Sequence, residues 1–108
     1  MKAAYTVRWT TVAELDLKNI IAYIAADHPQ NALQIFQKIR LKASHLCSAP
    51  EKGRIVPELQ GQGISQYREL VIPPWRLIYQ ISEQKIFMLS VLDSRQNIED
   101  ILLKRFIR

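Results

Sequence analysis

The chain is poor in residues that tie a fold together covalently or through a metal. It has a single cysteine, Cys47, in 108 residues, so no internal disulfide can form, which fits a reducing compartment. Its two histidines, His28 and His45, have no second His or Cys at metal-ligand spacing. His45 and Cys47 lie two apart, so on a helix they point in different directions. No metal and no cofactor are therefore expected. Glycine is scarce too, and Gly53, Gly61 and Gly63 all fall in one stretch. Gly61-Gln62-Gly63 lacks the third glycine, the preceding strand and the long following helix of a nucleotide fingerprint, so it reads as a loop. No serine elbow or Cys–His signature marks a covalent nucleophile. No apolar run approaches the roughly 18 residues of a membrane span, and Met1 to Tyr5 holds no apolar signal core. A cytoplasmic chain without membrane contact is expected.

What is present is ordinary globular usage: 48% hydrophobic and 23% charged residues. The length suggests one domain over residues 1–108, able to bury about two thirds of its unfolded surface. The net charge is +5, with basic residues spread along the chain and a small cluster at Lys104, Arg105 and Arg108. A mild positive field suits nucleic acid or an acidic protein as partner, and it suits plain solubility equally well.

Tyr5, Val7 and Trp9 alternate with Thr6 and Arg8, as in a strand with one apolar face. Thr11 and Glu14 read as a capping box for a helix whose stripe is Ala13, Leu17, Ile20, Ile21 and Ile24. That helix should stop near Asp27. Pro29 disfavours a helical His28 and suits the first turn of a second helix, which carries Ala32, Ile35, Phe36, Ile39, Ala43 and Leu46 on one face and is closed by Pro50. So short a link implies an antiparallel hairpin. Glu51 to Ser65 reads as a loop. Three strand-like runs follow: Gln66 to Ile72, Trp75 to Ile81 and Lys85 to Leu92, the last apolar enough to be covered on both faces. Pro73-Pro74 and Ser82 to Gln84 separate them. Asn97, with Asp100 three residues on, caps a last short helix through Phe106 with an Ile98, Ile101, Leu102 stripe. The expected class is α+β: an N-terminal strand, a helical hairpin packed on a three- to four-stranded antiparallel sheet, and a short C-terminal helix.

Trp9, Phe36, Trp75 and Phe87 read as core. The polar residues of the sheet half carry more information. Arg68 shares a strand face with Leu70 and Ile72, and Arg76 shares one with Ile78. An arginine among apolar neighbours costs free energy unless its head is solvated or paired. With Glu69, Tyr79, Asp93 and Arg95 these form a candidate cluster for holding a phosphate through bidentate guanidinium contacts. The same residues also fit a simple surface ion pair of Arg68 with Glu69 or Asp93.

Several segments, in order, resemble the RelE/ParE superfamily of toxins. Ala13-Glu14-Leu15-Asp16-Leu17-Lys18-Asn19-Ile20 with Tyr23-Ile24 is similar to that family's first helix. Pro50-Glu51-Lys52-Gly53-Arg54-Ile55-Val56-Pro57-Glu58 is similar to its "P-x-x-G-R-x-V-P-E" loop. Tyr67-Arg68-Glu69-Leu70 and Pro74-Trp75-Arg76-Leu77-Ile78-Tyr79 are like "R-E-L" and "P-Y-R-I-I-Y", with Trp75 in place of the usual tyrosine. Val91-Leu92-Asp93-Ser94-Arg95 falls where many members have "V-L-H-x-R-R".

The resemblance implies two helices on an antiparallel sheet. It implies the cytoplasmic toxin of a type II toxin–antitoxin system, of the plasmid-stabilisation kind, neutralised in a hetero-oligomer by a cognate antitoxin that wraps an extended or helical segment around it. Two activities follow from the family. One is a RelE-like, metal-independent mRNA interferase acting on the ribosome, in which the substrate's 2′-OH attacks the adjacent phosphate. That chemistry needs a base, an acid and cations. Arg76 and Arg68 would hold the phosphate, with Glu69, Tyr79 or Asp93 for proton transfer and Arg95 nearby. The other is a ParE-like inhibitor of DNA gyrase, which needs only a binding surface. The Gly53 to Glu58 loop, and a tail after Arg95 with neither tyrosine nor histidine, resemble the ParE branch more closely. On that reading Arg68, Arg76, Arg95, Lys104 and Arg105 face the antitoxin or the target. A weakly toxic antitoxin-binding scaffold is a third reading.

Overall fold

The alternation at the start of the chain produces strand β1 (Thr6–Trp9), and the apolar stripe after it produces helix α1 (Thr11–Ala25). The computed structural model describes residues 4–107, so Arg108 of the basic cluster lies outside the described residues. The cap of α1 is Thr10, not Thr11: its side chain accepts from the Ala13 N–H, and Thr11 is already helical. Thr10 serves because its hydroxyl also donates to the Met88 carbonyl at 2.8 Å, fixing the helix start to the sheet. A threonine cap of this kind contributes about 1 kcal/mol.

Pro29 opens helix α2 (Pro29–Ser44), as its ring geometry favours. The helix ends before Pro50, through a short 3-10 turn over His45–Cys47 that buries Leu46. The stretch read as plain loop contains structure: a two-residue strand β2 (Arg54–Ile55) and a one-turn helix α3 (Pro57–Gln60) that buries Leu59. Neither is long enough to show a period in sequence. Strands β3 (Tyr67–Ile72), β4 (Trp75–Ser82) and β5 (Lys85–Asp93) follow within a residue or two of the expected runs. Helix α4 (Ile98–Phe106) starts at Asn97, whose side chain accepts from the Asp100 N–H.

The sheet has five strands in the order β1-β5-β4-β3-β2, and one pairing is parallel, β1 with β5 over Thr6–Lys85 to Trp9–Met88. It is thus larger and less purely antiparallel than the alternation alone implies, because the helical hairpin returns the chain so that β1 and β5 run the same way. The hairpin covers one face over a core that includes Leu17, Ile39, Leu46, Leu77, Tyr79 and Met88. Helices α3 and α4 cover the other over Val56, Leu59, Ile78, Leu92 and Leu102. Each fully buried large aliphatic side chain contributes about 1.5–3 kcal/mol. This second layer explains why β5 is apolar on both faces.

Past Trp9 the chain turns away into α1, so β1 leaves β5 uncovered beyond Met88. A bulge opposite Ile78 and Tyr79 gives β5 one extra residue, Leu89. The bulge shifts the alternation. Met88 turns its carbonyl toward the β1 side, where Thr10 donates to it. The next amides found bonded to side chains rather than to a strand are those of Val91 and Asp93.

Candidate functional site

Strands β3 and β4 bring Glu69 and Arg76 to the face covered by α3 and α4, in a place where neither head is solvated. Glu69 is 1% exposed and Arg76 8%. A buried charge without partners carries a large desolvation cost, and here each has partners. Arg76 donates from Nε to Glu69 Oε1 at 2.6 Å, and from Nη1 and Nη2 to Glu58 at 2.8 and 2.7 Å. Arg54 donates from Nε to the other Glu69 oxygen at 2.6 Å. Pro57 starts the turn that delivers Glu58. The hydrogen bonds from Arg76 hold the Glu58 carboxyl below its ordinary range. The carboxylates, Glu58 foremost, hold the guanidinium above its own.

The partner strand register sets Arg68 opposite Tyr79 on the hairpin face. Tyr79 is fully buried. Its hydroxyl donates to the Pro50 carbonyl at 2.8 Å and accepts from the Gly53 N–H at 3.0 Å. Burial pushes the phenol upward, against the Gly53 bond and the Arg68 charge. Arg68 donates from Nη1 to the Gly53 carbonyl at 2.8 Å, with Glu51 at 3.8 Å. Gly53 is required at this junction. A Cβ there would meet the Glu69 carbonyl oxygen and lie 2.6 Å from the Tyr79 hydroxyl.

Asp93 and Arg95 sit at a third place, the end of β5. Arg95 donates to both Asp93 oxygens at 2.9 and 2.5 Å and holds that carboxyl below its ordinary range. The six side chains read as one candidate cluster therefore occupy three separate places: Arg76 with Glu69, Arg68 with Tyr79, and Arg95 with Asp93. Arg68 reaches neither carboxylate proposed for it, but a main-chain carbonyl. Sequence reasoning passed over Glu58, although a glutamate after a loop proline is a ready partner for an arginine on an apolar strand. It also passed over Asp16.

Asp16 of α1 stands at the uncovered edge of β5. Its Oδ2 accepts from the Val91 N–H at 3.0 Å and from Arg105 Nη1 at 2.7 Å, and Arg105 also donates to Ser90 Oγ at 2.9 Å. This tie marks one end of a groove of about 850 Å³. One wall is the helical hairpin, with Ile20, Tyr23, Ile24, Asp27 and Ile35. The other is α4 and the turn before it, with Arg95, Gln96, Ile101 and Lys104. Trp75, Val91 and Asp93 form the floor. Tyr23 is 82% exposed at the rim. Of the residues assigned to partner binding, Arg95, Lys104 and Arg105 line this groove, and Arg68 and Arg76 do not. Among the described residues no group of His, Cys, Asp and Glu is placed to hold a metal, and no helix is long and apolar enough to cross a membrane.

The fold has counterparts among solved structures. The chain is similar to a structure of the chromosomal ParDE system from P. aeruginosa, with a TM-score of 0.70 and 20% identity over 85% of this chain and 98% of that one. It is similar also to the RelBE2 toxin–antitoxin complex from Mycobacterium tuberculosis, with a TM-score of 0.61 and 22% identity over 83% of this chain and 98% of that one. At such identities the likeness speaks for the fold. No curated protein matches the chain by sequence. Residues 7–98 match the family described as ParE toxin of the type II toxin–antitoxin system, parDE. The chain belongs to that family, within the RelE/ParE superfamily of type II toxins.

Proposed function

We propose that this toxin arrests growth by binding DNA gyrase, and that an antitoxin neutralises it through the groove between the helical hairpin and α4. The observation that carries the reading is the enclosure of Arg76. The cation that a ribonuclease would aim at a scissile phosphate already has its three guanidinium nitrogens committed to Glu58 and Glu69. Freeing it would leave Glu69, 1% exposed, with Arg54 as its remaining cation. Proton-transfer candidates are equally committed: the Tyr79 hydroxyl to Pro50 and Gly53, and Asp93 to Arg95. A binder needs no such free groups. The groove supports the partner assignment, because it joins the exposed Tyr23 and half-buried Ile20, Ile24, Ile35 and Ile101 to Arg95, Lys104 and Arg105. Both structural relatives are toxin–antitoxin systems.

The test is a pair of assays on the purified chain: supercoiling of relaxed plasmid by DNA gyrase, and cleavage of mRNA on programmed ribosomes. The expected result is loss of supercoiling with mRNA intact. Cleaved mRNA with unaffected supercoiling would overturn the gyrase reading and return Arg76 to a catalytic role. In cells, labelled thymidine incorporation should fail before labelled methionine incorporation.

A further inference from the structure

The positive charge of the chain is unevenly compensated. Arg40, Arg54, Arg76, Arg95 and Arg105 are each tied to a carboxylate, of Glu14, Glu69, Glu58, Asp93 and Asp16 in turn. Among the described residues Lys38, Lys42 and Lys52 have no such partner, and all three are exposed. Arg8, Lys18, Lys85 and Lys104 also lack one, but they are dispersed over β1, α1, β5 and α4. Lys38, Lys42 and Lys52 instead converge on Arg68. At 3.6 residues per turn, Lys38 and Lys42 share one side of α2, about 6 Å apart along its axis and about 160° around it from Arg40. Arg40 points to α1, where it meets Glu14. Helix α1 packs on β5, and β4 and β3 come next in the sheet, so the lysine side of α2 faces β3. Strand β3 turns Arg68 to this same layer, together with Leu70 and Ile72. Arg68 holds the Gly53 carbonyl, and Lys52 is the residue before it. The carboxylate at this corner, Glu51, is exposed and 3.8 Å from Arg68.

We infer that the corner formed by Lys38 and Lys42 of α2 with Lys52 and Arg68 is a docking surface for the phosphate backbone of duplex DNA. The two lysines of α2 form a short row of point charges, and a DNA strand carries one phosphate per about 3.4 Å of helix axis. Lysines without carboxylate partners bind phosphates at no cost in broken ion pairs. Counterions released from the DNA supply the driving force. The absence of rings from the corner selects duplex over single strand. Proteins that hold single strands stack bases on aromatic side chains. Here Trp9 and Phe36 lie under Arg40 on the other side of α2, and Tyr79 is buried. Contacts to phosphates alone carry no sequence information, so binding is indifferent to sequence. The corner lies away from the groove, whose lining includes none of these four residues. A chain whose groove is filled therefore keeps this surface. The surface goes beyond the gyrase reading and stands without it, since it needs no enzyme.

The experiment measures fluorescence anisotropy of labelled duplex DNA, of two unrelated sequences, with the purified chain across a salt series. Two double variants are compared: Lys38→Glu with Lys42→Glu, and Lys18→Glu with Lys104→Glu. Both pairs change the net charge equally and replace exposed residues, and circular dichroism checks that both fold. The expected result is equal binding of the two sequences that weakens as salt rises. The Lys38–Lys42 pair should lose ten-fold or more in affinity at low salt and flatten the salt slope by about 2, one unit for each phosphate contact removed. The Lys18–Lys104 pair should lose far less. Equal losses in the two pairs overturn the surface and leave only a diffuse positive field. Absence of binding at low salt overturns it as well, and inhibited supercoiling in the same preparation would leave the gyrase reading in place. Tighter binding of single-stranded or duplex RNA than of duplex DNA assigns the corner to RNA and overturns the DNA assignment.

Discussion

The guanidinium of Arg76 and the carboxylate of Glu58 meet as a two-pronged fork, Nη1 and Nη2 on the two oxygens at 2.8 and 2.7 Å. The fork joins the one-turn helix α3 to the middle of the sheet, and Glu69 and Arg54 extend it.

Replacement of Arg76 by alanine should therefore be a stability change before it is a functional one. It leaves the buried Glu69 with Arg54 as its remaining cation, and breaking a buried pair from one side costs up to about 3–5 kcal/mol. In chemical denaturation the midpoint should fall accordingly, and toxicity should fall in proportion to the folded fraction. A variant of unchanged stability that has lost all toxicity would show that Arg76 acts in chemistry instead.

Acid should act on the same network. The Glu58 pKa is lowered in the fold by its bonds to Arg76, so its contribution to stability is fully present above the unfolded carboxyl value. It is lost as pH falls through the lower folded value. A pH series of thermal unfolding should show a decline over that acidic window that is reduced in Glu58→Gln, which is less stable at neutral pH.

Alkali should act through Tyr79. Its folded pKa is raised, chiefly by burial, so its contribution is whole below the unfolded value of a tyrosine and is lost as pH rises through the folded one. Tyr79→Phe should remove that alkaline step. It should also cost about 1–3 kcal/mol at neutral pH, since the Gly53 N–H and the Pro50 carbonyl lose their partner.

Gly53→Ala should destabilise by about 1–3 kcal/mol, the usual range for overpacking, because the added carbon meets the Glu69 carbonyl and the Tyr79 ring. Gly61→Ala, with its nearest neighbour at 3.6 Å, should change the unfolding midpoint little. Equal effects at the two positions would refute the close-packing account.

The regular elements were legible because they are periodic. Thr6 to Trp9, the two stripes of the hairpin and the three strand runs each carry a period, and Pro29 and Asn97 mark helix starts by their own chemistry. What was not legible is non-local or very short. Nothing in Thr6–Trp9 says that its partner lies at Lys85–Met88 or that the pairing is parallel. β2 and α3 are too brief to repeat. The candidate site suffered in the same way. Alternation revealed arginines on apolar strands, but the partners that decide their role come from elsewhere: Glu58 for Arg76, the Gly53 carbonyl for Arg68, Asp16 for Arg105.

The parallel pairing of β1 with β5 also governs when this molecule becomes itself. The first strand made must wait for the last before it has a neighbour, and contacts so distant in sequence slow closure of a fold. On the ribosome, residues 6–9 therefore remain without their mates until residues 85–88 have emerged. The groove, whose floor is β5, is completed at the same late moment. A nascent chain thus has neither its first strand pairing nor the floor of its groove until the last strand is made.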